Sequence, residues 1–220
     1  MITTAENFNV DNVSKDFMYK KHHSRGSAVA TYPIRCGEDK QDLRLELPDG
    51  ALCFCGFSSE IPSHIGESDG RYNVPMGLIS DIEGEQEKFN ILVDQLARLD
   101  NFVIDYATEW SEKLFGEKYN RETIKYMYSP LVKRDRNYQN GGKYPPSIKP
   151  KVRSSSNGEI QLYAYSTKIG KKQPKTVDEF KEYIPSFSRA TGVIKPRLWI
   201  ANRGKRFGLN CTLTKIKVIE

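Results

Sequence analysis

Histidine is scarce and stops early: there are three in 220 residues, at positions 22, 23 and 64. The rest of the chain therefore has no imidazole for general acid–base work or metal binding. Cysteine is also thin, with Cys36, Cys53, Cys55 and Cys211 only. Four such scattered residues do not make a disulfide framework, so free thiols are expected. Cys53-x-Cys55 with Cys36, His64 or the His22-His23 pair is the single arrangement that resembles a zinc site, but no second closely spaced pair supports it. No cofactor is expected. There is no glycine-rich loop ending in Lys-Ser/Thr, no Gly-x-Ser-x-Gly elbow and no His-Glu-x-x-His helix, which argues against an enzyme. No apolar run approaches the ~20 residues of a membrane-spanning helix, and the N-terminus has no basic stretch followed by an apolar one. The expectation is a soluble intracellular protein, in host cytoplasm or nucleus if viral, with no membrane partner.

Acidic residues become rare in the second half. Residues 1–120 hold 12 Lys+Arg and 21 Asp+Glu, net −9, whereas residues 121–220 hold 22 and 7, net +15. The seven acids are Glu122, Asp135, Glu159, Asp178, Glu179, Glu182 and Glu220, too dispersed to hold magnesium for a nuclease. An imbalance this long points to a polyanionic partner, nucleic acid first.

What the chain does have is a pattern with a period of two. Over 194–201, Ile194, Pro196, Leu198 and Ile200 alternate with Lys195, Arg197, Trp199 and Ala201. A turn carrying Arg203, Lys205 and Arg206 follows. Leu209, Cys211 and Leu213 then alternate with polar residues, which makes a hairpin, and Phe207 is in phase with them and reads as core. The apolar phase slips to Ile216 and Val218, predicting a bulge near Thr214-Lys215. Residues 148–153 repeat the design with Lys149, Lys151 and Arg153 outward, and Pro150 marks an edge or a bulge. Residues 160–165 present Gln161, Tyr163 and Tyr165. A merely solubilising face would mix acids among the cations, and these outward positions contain none. Lys143 and Tyr144 precede this region, and a loop over 168–175 carries Lys168, Lys171 and Lys172.

The remaining text is more ordinary. Residues 1–27 read as a flexible N-terminal arm and 28–220 as one domain. Residues 43–47 and 51–57, separated by Pro48-Asp49-Gly50, read as a hairpin. Apolar residues at three- and four-residue steps predict a helix over 84–115 that packs on the sheet. Asn120 caps a second over 121–128, and a short third spans 176–183.

Cations neutralise phosphates and exposed rings stack on unpaired bases, so a cationic and aromatic sheet fits single strands better than duplex. The small sheet that most often does this is the five-stranded OB barrel. Several stretches carry a more specific resemblance: Leu99-Asp100 with 104–107 (IDYA), 110–116 (WSEKLFG), 128–133 (YSPLVK), 143–152 (KYPPSIKPKV), 198–200 (LWI), 206–209 (RFGL) and 215–218 (KIKV). In that order, over about 85–220, they resemble the OB-fold single-stranded-DNA-binding proteins of nucleocytoplasmic large DNA viruses and related phages. The resemblance implies an α+β fold, an OB-like five-stranded Greek-key barrel interrupted by a helical insertion at about 84–128. It also implies a role in coating single-stranded DNA during replication, recombination or repair, with replication or recombination proteins as further partners. A homo-oligomer stays open. The alternatives are a virion or nucleoid packaging protein that uses charge alone, and a metal-dependent nuclease.

Overall fold

The computed structural model describes residues 2–15, 29–59, 71–135, 144–170, 173–201 and 206–219. Its first elements are β1 (Val29–Pro33), β2 (Arg35–Cys36), β3 (Gln41–Asp42), β4 (Leu45–Glu46), β5 (Ala51–Cys53), β6 (Ser58–Ser59), β7 (Tyr72–Asn73) and β8 (Met76–Gly77). Helices α1 (Glu85–Glu109), α2 (Ser111–Phe115) and α3 (Arg121–Met127) come next, then β9 (Tyr128–Ser129), β10 (Ser147–Ile148), β11 (Lys151–Val152) and β12 (Tyr163–Ser166). The chain closes with α4 (Val177–Tyr183), β13 (Ser188–Ala201) and β14 (Phe207–Ile219).

The architecture is α+β: a twelve-stranded mixed sheet, a separate β2–β3 ribbon and a few helices. The hairpin of β13 and β14 is its axis. Ile194, Pro196, Leu198 and Ile200 are buried while Lys195, Arg197 and Trp199 are half-buried, as alternation along a strand requires. Val193 pairs with Lys215 and Ile194 with Leu213, so Thr214 is the extra residue of a bulge, and its Oγ1 donates to Val193 O at 3.1 Å. The other edge of β13 takes β5, β4 and β1 in turn, all antiparallel. The other edge of β14 takes β9, β11 and β12, all parallel.

Two expectations change here. Residues 43–57 are not a hairpin: β4 and β5 both lie antiparallel on β13, one after the other. Pro48-Asp49-Gly50 kinks the chain without reversing it. Gly50 takes φ +88°, and a Cβ there would lie 2.3 Å from Ser80 Oγ. In place of the expected five-stranded barrel the sheet has twelve strands, most of them short. Residues 147–152 divide at Lys149-Pro150, because proline gives no ladder N–H. The pieces still connect: β5 pairs with β13, β13 with β14, β14 with β11 and β11 with β7. From β7 the chain passes through Val74-Pro75 into β8, which pairs with β5 again.

Helix α1 buries Phe89, Leu92, Leu96, Leu99, Val103 and Tyr106, each worth roughly 1.5–3 kcal/mol when taken from water. The expected single helix to 115 breaks at Trp110 (φ −107°, ψ 20°) and resumes as α2. Asn120 Oδ1 accepts from Thr123 N at 2.9 Å, and Thr176 and Glu179 form a capping box on α4. Of the stretch expected as an arm, residues 2–15 are packed: Ala5, Phe8 and Val13 are buried, and Thr3 and Val13 bridge to Leu45 and Cys36. One apolar cluster runs from Ala5 to Val218.

Candidate nucleic-acid interface

Residues that pair across a sheet share a face, so the register decides which outward side chains meet. Lys195 pairs with Thr212, Thr212 with Lys151, and Lys151 with Asn73. Arg44 precedes Leu45, the partner of Ile194, and acts electrostatically on Lys195. Arg44, Lys195, Thr212, Lys151 and Asn73 thus form a row across five neighbouring segments, about 19 Å long at ~4.8 Å per strand. None of them is acidic; Arg44 and Lys151 are exposed and Lys195 is half-buried, while Thr212 and Asn73 are buried between and behind the cations.

Two residues along β13, Arg197 faces Asn210 on one side and Pro33 on the other. Beyond it Trp199 lies between Thr31 and Gly208. Gly208 is where β9 comes closest, since a Cβ there would sit 2.2 Å from Ser129 O. Burial first, and then the Arg44 guanidinium, lower the pKa of Lys195, with Arg153 and Arg197 adding to the effect and Asp42 opposing it. Burial and Arg153 lower that of Arg197, again against Asp42. Arg197 Nε is shielded from solvent without a hydrogen-bond partner. Cations crowded to this degree stabilise an anion placed among them and are relieved by it.

The other expected site residues are placed as follows. Lys149, Lys151, Arg153, Lys168 and Arg206 are exposed, Tyr163 and Tyr144 are each 58% exposed, and Tyr165 is half-buried. Among the described residues no strand pairing joins Tyr144 to the row. Lys143, Lys171, Lys172, Arg203 and Lys205 lie outside the described residues, as do His22, His23 and His64. Phe207 is interior, 5.3 Å from Phe115 and 5.1 Å from Tyr128 between ring centroids. Behind it the Tyr128 hydroxyl donates to Asp100 Oδ1 at 2.5 Å, and Leu131 N donates to the same oxygen. Burial pushes the Asp100 carboxyl up to about 6.

Sequence reasoning missed Arg44, Asn73, Thr212 and the restraining Asp42. Arg44 was visible as an outward position of 43–47, but nothing in the text said that this segment lies beside Lys195. Among the described residues no group of three His, Cys, Asp or Glu is placed to hold a metal. Burial raises the thiols of Cys36 and Cys53 to about 11 and that of Cys211 to about 12, which keeps them protonated and unreactive. No helix among the described residues is long and apolar enough to cross a membrane.

No family model and no curated protein matches the chain. Solved structures do. The chain is similar to the single-stranded DNA-binding protein of bacteriophage Enc34 in a C-terminal truncation, at 11% identity over 86% of this chain and 88% of that one, TM-score 0.46. It is similar to the same phage protein in complex with single-stranded DNA, at 13% identity over 86% and 90%, TM-score 0.45. A third likeness is gp2.5, a single-stranded DNA-binding protein encoded by bacteriophage T7, at 13% identity over 80% and 91%, TM-score 0.48.

Proposed function

We propose that this protein binds single-stranded DNA without reading its sequence and without catalysis, protecting it during replication, recombination or repair. The observation that carries this is the acid-free row of Arg44, Lys195, Thr212 and Lys151, with the Trp199 indole two positions past Arg197 on the same face. Cations in a row take successive phosphates and the indole takes a base. An OB-like barrel is the fold reading that goes with it. If the bent segments 45–59, 72–77 and 147–152 are each counted as one strand, the pairing circuit through β13 and β14 has five members. The member at 147–152 runs parallel to the last strand, and α1 to α3 are inserted before it.

Fluorescence titration with oligo-dT, oligo-U and duplex DNA at two salt concentrations tests the proposal. Oligo-dT should bind more tightly than duplex, with log K falling against log salt by about 0.7 for each phosphate neutralised. Equal affinity for duplex and single strand would sink it in favour of packaging by charge alone.

A further inference from the structure

The basic surface continues past the row. Beyond the Thr214 bulge, β12 runs parallel to β14 and sets Tyr163 opposite Lys215 and Tyr165 opposite Lys217. Lys215 pairs in turn with Val193 and Lys217 with Thr191, so all four side chains are on the face that carries Lys195 and Thr212. Tyr163, Lys215 and Lys217 are exposed and Tyr165 is half-buried. The two flanks of this region differ in charge. On the β4 side Glu46 pairs with Val193, and a concavity of about 200 Å3 beside Thr191 is lined by Glu6, Glu46, Asp49 and Glu85, with Lys88, paired to Glu85 at 2.6 Å, as its one cation. On the β12 side the paired residues carry no acid. A polyanion leaving the Lys195–Lys151 row is repelled from the first flank and drawn along the second.

We infer that the site has a second segment on β12 and β14, where bases stack on Tyr163 and Tyr165 and phosphates meet Lys215 and Lys217, filled only by strands long enough to leave the row. This rests on the single-strand reading above. Thr212 and Lys217 lie opposite Lys195 and Thr191, four residues apart on β13, about 14 Å at ~3.4 Å per residue. A stacked strand at ~3.4 Å per nucleotide needs about four nucleotides to cover that distance, and an extended one fewer. Once the first segment is bound, the second engages at high effective concentration, so affinity should climb steeply with length over this range.

The test is a series of oligo-dT lengths from 3 to 15 nucleotides, competed against a labelled strand. It compares the unmodified protein, a Tyr163→Ala/Tyr165→Ala variant and a Lys215→Ser/Lys217→Ser variant, with thermal melts to verify folding. The tyrosine variant should lose at least about tenfold on the longest strands and less than about twofold on the shortest. The lysine variant should flatten the salt slope on long strands only. Tyr163→Ala alone carries the same comparison if the double variant melts early. Equal losses at every length would mean one undivided site, and no loss at any length would mean side chains facing solvent; either overturns the inference. If oligo-dT of no length binds the unmodified protein, the single-strand reading itself fails and the second segment falls with it.

Discussion

Trp199 is half-buried between Thr31 and Gly208, and its outward neighbours along β13 are Arg197 and Ala201. A half-buried ring on a paired strand has already lost part of its rotamer freedom and offers a stacking surface at reduced entropic cost. Trp199→Ala should weaken oligo-dT binding by about 1–3 kcal/mol while the salt slope, set by phosphate contacts, stays constant. Unchanged affinity with a large drop in melting temperature would assign the indole to packing instead. Asp100 makes a different prediction. Its carboxyl, near 3.8 when unfolded, is raised to about 6 in the fold by burial, so the folded state holds a proton that the unfolded state releases. The stability linked to that proton is fully present below pH 4 and is lost as pH rises through 6. Asp100→Asn keeps an oxygen for Tyr128 and Leu131, so its melting temperature relative to the unmodified protein should be higher at pH 8 than at pH 4.5. An offset that does not change with pH would show that Tyr128, Leu131 and Arg134 hold the carboxylate ionised.

The Thr214 bulge links the two halves of β14. If Thr214 were paired as a regular strand residue instead of bulging out, every side chain from Lys215 to Ile219 would switch faces, sending Lys215 and Lys217 inward and Ile216 and Val218 out. Deleting Thr214 should leave an uninterrupted alternation, with Lys215 still opposite Val193, and should preserve cooperative thermal unfolding, whereas Thr214→Ala, which removes only the hydrogen bond to Val193, should cost about 1 kcal/mol. A deletion variant that loses cooperative unfolding would mean that the bend made by the bulge, and not the register alone, is needed to hold the sheet together. The bulge was legible in the sequence because the apolar phase of 209–218 slips by one, and the cap at Asn120 was legible because capping is local chemistry. The course of 43–57 was not: a Pro-Asp-Gly turn is compatible with a reversal or a kink, and only the partner strand 140 residues downstream decides. The packing of Phe8 and Val13 also went unread, since isolated apolar residues in polar text carry no period. The same limit applies to the site. Alternation showed which residues face outward, as with Lys195, Lys151 and Tyr163, but not that Thr212 lies between the two lysines or that Lys215 lies beside Tyr163.

Across the whole molecule, charge segregated in sequence is partly remixed in space. The acidic half lends Arg44 to the cationic row and Asp42 to restrain it, and leaves Glu6, Glu46, Asp49 and Glu85 along one border. All of this depends on β13, against which β1, β4, β5 and β14 are assembled. Synthesis proceeds from the N-terminus, so β1, β4 and β5 leave the ribosome long before the strand they pair with. Val29 waits for Ala201, and Leu45 for Ile194. Until then their backbone donors and apolar side chains have no sheet to join, and closing loops of that length comes before any contact that rewards it. A nascent chain halted short of residue 188 has its early strands and its long helix but lacks the strand that would align them, and it leaves open sticky edges of the kind that chaperones bind.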